Sequence, residues 1–267
     1  MNGLALFAGG GGLELGLSLA LGTDYRTIAY VERECTSAAV LAANMERGWL
    51  DKAPVWDDVG TFTGDVVSPL VDNIDIISAG FPCQPWSVAG NRKGTDDERW
   101  LWPLIFRLVR EIRPRSIFLE NVPGLLHGGI EHVLGDLASV GFAAEWASIR
   151  ASDVGAPHRR ERVFILGNSD SKRRRTQGNG QFTPAGIGWG SRPLQWPPSP
   201  QSTESWGKVI EVRPDLAPAT QPEVRGVADG VARGLGRADK LRILGNGVVP
   251  QQAALAYTVL SERISNP

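Results

Sequence analysis

Over residues 1–167, short apolar runs alternate with stretches of helical hydrophobic spacing, and this alternation limits the fold more than any other feature of the chain. LALF (4–7), TIAYV (27–31), IDIISAG (74–80), SIFLE (116–120) and VFILG (163–167) read as strands. Between them, Leu101, Leu104, Ile105, Leu108, Val109 and Ile112 recur at spacings of three and four, the mark of a helix, and Pro114 stops it. Strands alternating with helices build βαβ units, which predicts an α/β fold with a doubly wound, mostly parallel sheet. Such sheets bind ligands beyond the carboxyl ends of their strands, so the residues just after each apolar run are the first candidates for function.

The texture changes after Gly167. Residues 168–240 hold ten Gly and eight Pro, with Trp189, Trp196 and Trp206 among them. They carry 11 Lys and Arg against 7 Asp and Glu, opening with Lys172, Arg173, Arg174 and Arg175, whereas the whole chain has a net charge of −1. This composition predicts a small loop-rich module inserted before a final helical segment, QQAALAYTVLSERI, that follows Pro250. A basic insert on a near-neutral chain permits a nucleic-acid-facing surface. With only Cys35 and Cys83, no disulfide framework is expected, and a reducing interior is. No apolar run is long enough for a membrane span, and MNGLALFAGGGGLELGL lacks the basic start of a signal peptide. A cytoplasmic protein without a membrane segment or metal is expected.

Five segments carry the candidate chemistry. FAGGGGLELG, Phe7 to Gly16, follows a strand and opens a helix, where glycines let a ligand approach the backbone and the helix N-terminus. Glu32 ends the next strand, where an acid that grips ribose hydroxyls belongs, and Asp58 ends a further short strand. Alone, this loop suits a nicotinamide dinucleotide nearly as well. GFPCQPWSVAG (80–90) sets Cys83 in a loop between Pro82 and Pro85. A lone cysteine is most often a small buried hydrophobe, but polar, turn-forming neighbours favour a functional thiol. Cys35, in the Ala-rich ECTSAAVLAAN, reads as packing.

LENVPG (119–124) puts Glu120 at a strand's carboxyl end, where burial can raise a carboxyl into the range of a general acid. APHRRERVFILG (156–167) holds Arg160 and Arg162 two apart at a strand start, so both are expected on one face. In RILGNGVVPQQAALAY (242–257), Asn246 between two glycines reads as a tight turn before a helix. Taken singly, a solvated strand end or a plain turn explains each of these three.

As an ordered set, Gly80-Phe81-Pro82-Cys83-Gln84, Glu120-Asn121-Val122 and Arg160-x-Arg162 resemble the DNA cytosine-5 methyltransferase family, over roughly residues 4–167 and 241–260. The resemblance implies a Rossmann-like fold that uses S-adenosylmethionine, with residues 1–167 and 241–267 as catalytic domain and 168–240 as a small target-recognition region. It implies that Phe7, Gly9, Gly11, Glu32, Asp58, Leu101 and Asn246 hold the cofactor. Pro82, Gln84 and Asn121 then line the substrate pocket. His158 stands where the family has Gln, and Arg33 where some members have an aromatic. The compact size is similar to phage-borne members, and a restriction-modification setting is implied.

The implied reaction methylates C5 of a cytosine flipped out of double-stranded DNA by a monomeric enzyme. The Cys83 thiolate adds to C6, protonated Glu120 binds the N3 edge, Arg162 holds the O2 side and Arg160 positions Cys83 and the base. Three other functions remain open at this point: an RNA (tRNA) cytosine-5 methyltransferase, a catalytically silent DNA-binding homologue and a nicotinamide-dependent oxidoreductase.

Overall fold

The computed structural model describes residues 1–67, 74–81, 100–156, 158–169 and 237–265. Cys83 and its neighbours Pro82 and Gln84, the basic run 172–175 and most of the expected recognition region lie outside the described residues.

The apolar runs become strands β1 (Asn2–Leu6), β2 (Arg26–Val31), β3 (Val55–Trp56), β4 (Ile76–Gly80), β5 (Ser116–Asn121), β6 (Ala143–Arg150) and β7 (Glu161–Asn168). They form one sheet in the order β3-β2-β1-β4-β5-β7-β6. The first five are parallel, while β7 runs antiparallel to both β5 and β6. Chain direction across the sheet reverses between β1 and β4, so the crevice beyond their carboxyl ends is the expected ligand site of a doubly wound sheet.

Helices cover both faces. Helix α1 (Gly12–Leu21) follows β1, α2 (Cys35–Glu46) follows β2, and the short α3 (Gly64–Val67) precedes β4. Helix α4 (Trp102–Ile112) precedes β5, and α5 (Gly129–Ser139) precedes β6. Near the C-terminal end of the described residues come α6 (Arg237–Asn246) and α7 (Pro250–Ser265). The expected boundary between residues 240 and 241 thus falls inside α6, and Asn246 ends this helix instead of occupying an isolated turn.

Strand alternation sorts the core. Ile77 and Ala79 face the side built by Trp102, Ile105 and Leu108 of α4 and Val133 and Leu137 of α5. Ile76, Phe118 and Phe164 face Leu13 and Leu17 of α1 and Ala253, Ala256 and Leu260 of α7. The predicted helical stripe is therefore real: Ile105, Leu108 and Val109 are buried. Arg113, in the left-handed region at φ 53°, ends α4 just before Pro114. Helix α7 is a structural member of the core and not an appended tail. Among the described residues no helix is long and apolar enough to cross a membrane.

One expectation fails outright. Cys35 is exposed, not packed, because it is the first residue of α2 and that helix begins its buried face only at Val40 and Leu41.

Candidate functional site

The loop between β1 and α1 needs its glycines. Gly9 and Gly11 hold φ of 57° and 82°, values that favour glycine, and Phe7 shares the left-handed region at 52°. Gly11 donates to the Ala8 carbonyl at 2.8 Å, which closes the turn and aims the chain into α1. The Gly9 N–H donates to Oε2 of Glu32 at 2.7 Å, and the Glu34 N–H donates to Oε1 of the same carboxylate at 2.7 Å. Glu32 is thereby fixed in orientation, and each oxygen keeps a lone pair for another donor. Asn44 of α2 donates its amide to the Gly10 carbonyl at 3.0 Å, leaving its Oδ1 buried without a hydrogen-bond partner.

This loop forms one wall of a cleft of about 870 Å³, within the usual range for small-molecule sites. Phe7, Gly9 and Gly10 line one side; His158, Arg160 and the turn Asn246–Val249 line the other. The structure thus brings Phe7, Gly9 and Asn246 to one cleft. Gly11, Glu32, Asp58 and Leu101 lie outside this lining, and a side chain at Gly11 would meet Leu50. Glu32 reaches it through Gly9. Asp58 follows β3, whose Trp56 carbonyl takes the Glu32 N–H at 2.9 Å, so the two acids follow the ends of paired, adjacent strands. Leu101 caps the start of α4, half-buried.

The second group gathers at β5. Glu120 is 7% exposed, directly across the ladder from Gly80. Arg162 Nε stands 3.0 Å from Glu120 Oε1, an ion pair whose geometry is not that of a hydrogen bond, so Oε1 is buried without a hydrogen-bond partner. Burial raises the Glu120 pKa to about 7, against the lowering effect of the charges on Arg162 and then Arg160. Desolvation of the carboxylate therefore outweighs two nearby guanidinium groups. Asn121 donates its side-chain amide to the Phe81 carbonyl at 3.1 Å and accepts the Val122 N–H on Oδ1 at 2.8 Å. Its side chain grips the last described residue before Pro82-Cys83.

The two arginines do not share a strand face. Arg160 lies before β7 with φ 23°, so strand alternation does not govern it. Arg162 turns to Glu120, while the Arg160 guanidinium turns to the carbonyls of Gly245 and Gly247. Sequence reasoning also missed a second buried carboxyl. Glu14 of α1 is 1% exposed, accepts a hydrogen bond from the Ser78 hydroxyl at 2.8 Å and keeps Oε2 buried without a partner. Burial raises its pKa to about 7, with the Ser78 bond pulling the other way. An acid in the midst of an apolar helix pattern was the available signal.

A family model for C-5 cytosine-specific DNA methylase matches residues 1–188, which include the glycine loop, Glu120 and both arginines. The chain belongs to the C-5 cytosine-specific DNA methylase family. This C-5 methylase chain is 35% identical over 171 residues to the Type II methyltransferase M.NgoMIV of Neisseria gonorrhoeae, covering 61% of the chain and 50% of that relative. It is 38% identical over 169 residues to M.NaeI of Lentzea aerocolonigenes, covering 60% and 38%. The chain thus spans half or less of these curated relatives' length.

Among solved structures, a prophage-encoded E. coli chain described as a DNA modification methyltransferase superposes with a TM-score of 0.51 at 31% identity, covering 63% of this chain and 46% of that one. A Spodoptera frugiperda DNMT2 variant superposes with a TM-score of 0.53 at 21% identity, covering 68% and 56%, a likeness of fold alone. The expected doubly wound methyltransferase fold is therefore the one this family member has. No cluster of three or more metal-ligating side chains occurs among the described residues.

Proposed function

We propose that this C-5 methylase chain transfers a methyl group from S-adenosylmethionine to C5 of a flipped-out cytosine in duplex DNA, through a covalent bond between Cys83 and C6. The observation that carries the reading is Glu120: a buried carboxyl with a pKa near 7, paired to Arg162 and set across from Gly80, three residues before Cys83.

The cleft fits the cofactor. Its glycine loop brings backbone close to a ligand, Glu32 is pre-oriented with acceptor capacity for two ribose hydroxyls, and Asn44 Oδ1 is an unused buried acceptor beside the loop. Phe7, Gly9, Gly11, Glu32 and Asn246 hold it in this reading, with Asp58 on the adenine amino group and Leu101 flanking. S-adenosylmethionine supplies an electrophilic methyl group carried on sulfonium.

Cytosine C5 is a weak nucleophile within an aromatic ring. Addition of the Cys83 thiolate to C6 makes C5 enamine-like, and thiols ionise readily enough for this, with an unperturbed pKa of about 8.5. Glu120 delivers a proton to N3 as the sulfur–carbon bond forms, so no full negative charge develops on the ring. Arg162 stabilises the O2 side. After methylation, water takes the C5 proton, the thiolate is expelled and N3 returns its proton to the Glu120 carboxylate, which restores the aromatic ring and frees Cys83 and Glu120. Pro82, Gln84 and Asn121 shape the base pocket, and Asn121 anchors the start of the Cys83 loop through Phe81. Residues 168–240 serve as the target-recognition region, with 1–167 and 241–267 as the catalytic domain.

The test is methyl transfer in solution. Full-length chain, labelled S-adenosylmethionine and a genomic DNA library, followed by mapping of 5-methylcytosine, should yield methylation at one recurrent sequence. RNA of matched complexity should stay unlabelled. Labelled RNA with unlabelled DNA overturns the substrate assignment; label in neither overturns the activity.

A further inference from the structure

Arg160 holds the joint between α6 and α7 from two directions. Its Nη2 donates to the Gly245 carbonyl at 2.8 Å and also to that of Gly247. These carbonyls lie at the C-terminal end of α6, where unpaired C=O groups carry the negative end of the helix dipole and a cation is favoured. On the other side, the Arg160 carbonyl accepts a hydrogen bond from Gln252 Nε2 at 2.8 Å, in the first turn of α7. The same Nε2 reaches the Ile149 carbonyl at 2.6 Å, and Gln252 is fully buried. The joint is therefore tied to the end of β6 and the start of β7 by one side chain from each partner.

This joint is what closes the cleft opposite the glycine loop. The Val248 carbonyl occupies the space beside Gly12 that any side chain there would need, and Val248 also borders Gly80. Gly16 meets α7 in the same way, through Pro250 and Ala253. A path of contacts thus runs from Arg160 to Gly245 and Gly247, on to Val248, and from there to Gly12. The left-handed backbone at Arg160, φ 23°, is a conformation that non-glycine residues rarely adopt and that must be held by its surroundings. It sends the Arg160 side chain to the joint while Arg162, two residues on, pairs with Glu120.

We propose that Arg160 is a positioning residue of the cofactor site: its guanidinium clamps the α6–α7 joint against the glycine loop, while Arg162 is the one that pairs directly with Glu120. The two arginines of one short motif thereby divide their labour between the two halves of the reaction. The assignment rests on the cleft being the S-adenosylmethionine site, and the experiment separates the two ideas.

Full-length wild type, Arg160→Met, Arg160→Lys and Arg162→Met are titrated calorimetrically with S-adenosylhomocysteine in the absence of DNA. Amide hydrogen exchange is followed at residues 245–249 without ligand. Arg160→Met should weaken binding at least tenfold and accelerate exchange at the joint. Arg160→Lys, a point charge that cannot bridge two carbonyls as the planar fork does, should fall between it and wild type. Arg162→Met should bind within about twofold of wild type with unchanged exchange at the joint. Should Arg160→Met fail to fold, the Lys variant and the Arg162 control decide the matter. Wild-type affinity and exchange in the Arg160 variants, or equal weakening in Arg162→Met, overturns the clamp. If wild type itself binds no S-adenosylhomocysteine, the reading of the cleft falls, and the exchange measurement still decides whether Arg160 holds the joint.

Discussion

The guanidinium of Arg162 lies 3.0 Å from the Glu120 carboxyl, yet Glu120 holds its proton up to about pH 7. In water such a neighbour lowers a carboxyl pKa. Here burial dominates, and the pair can offer a proton and a positive charge side by side at neutral pH.

A pH profile tests this directly. With Glu120 required protonated and Cys83 required as thiolate, kcat/KM should fall on both sides of an optimum, the alkaline limb set by Glu120 and the acid limb by Cys83. Glu120→Gln should lose about 100- to 10,000-fold in rate, and its remaining activity should rise from pH 7 to about 8.5, where wild type is level, and should no longer decline above that. An unchanged alkaline limb in that variant assigns the proton to another group.

Glu14 should make the fold less stable as pH rises. Its native pKa is raised from 4.5 to about 7, so between these values the native state binds a proton that the unfolded chain releases. Its contribution is full below pH 4.5 and is lost as pH climbs through 7, on the order of 3 kcal/mol in total. Glu14→Gln keeps an acceptor for the Ser78 hydroxyl and cannot ionise. In urea unfolding it should match wild type near pH 4.5 and exceed it at pH 8. Parallel pH dependences for the two proteins refute the burial of an ionisable Glu14.

Gly12 is needed for proximity, not for flexibility. A β-carbon there meets the Val248 carbonyl, a main-chain atom that cannot swing aside. Gly12→Ala should cost about 1–3 kcal/mol and weaken S-adenosylhomocysteine binding by displacing the α6–α7 joint. A calorimetric titration with wild-type affinity, or an unaltered Tm, contradicts the packing of that joint on the loop.

Much of this was legible in the residues. Strands β4 and β5 lie at the sheet centre under helices on both faces, so they read as continuous apolar runs. Strand β6 escaped because it is an edge strand whose AAEWASIR is half-exposed and pairs only with β7. Glu120 could be placed at a strand end, but its burial depends on distant parts of the chain, Gly80 of β4 on one side and β7 with Arg162 on the other. Arg160 and Arg162 looked like a same-face pair because spacing of two means one face in a strand; the left-handed backbone at Arg160 is not written in its residue type. Cys35 looked buried because its neighbours are alanines, and only the helix start at Glu34 exposes it.

Cys35 also helps with the central question. It is exposed and makes no part of the site, so Cys35→Ser should leave activity intact, and Cys83 is then the sole cysteine. Duplex DNA bearing 5-fluorocytosine at the mapped target site blocks loss of the C5 substituent, so the covalent bond to C6 cannot resolve. With S-adenosylmethionine present, Cys35→Ser should form a stable protein–DNA adduct whose peptide map places the base on Cys83, and Cys83→Ser should form none. No donor-dependent adduct on DNA that the protein methylates when unfluorinated, or an adduct that survives Cys83→Ser, contradicts the mechanism.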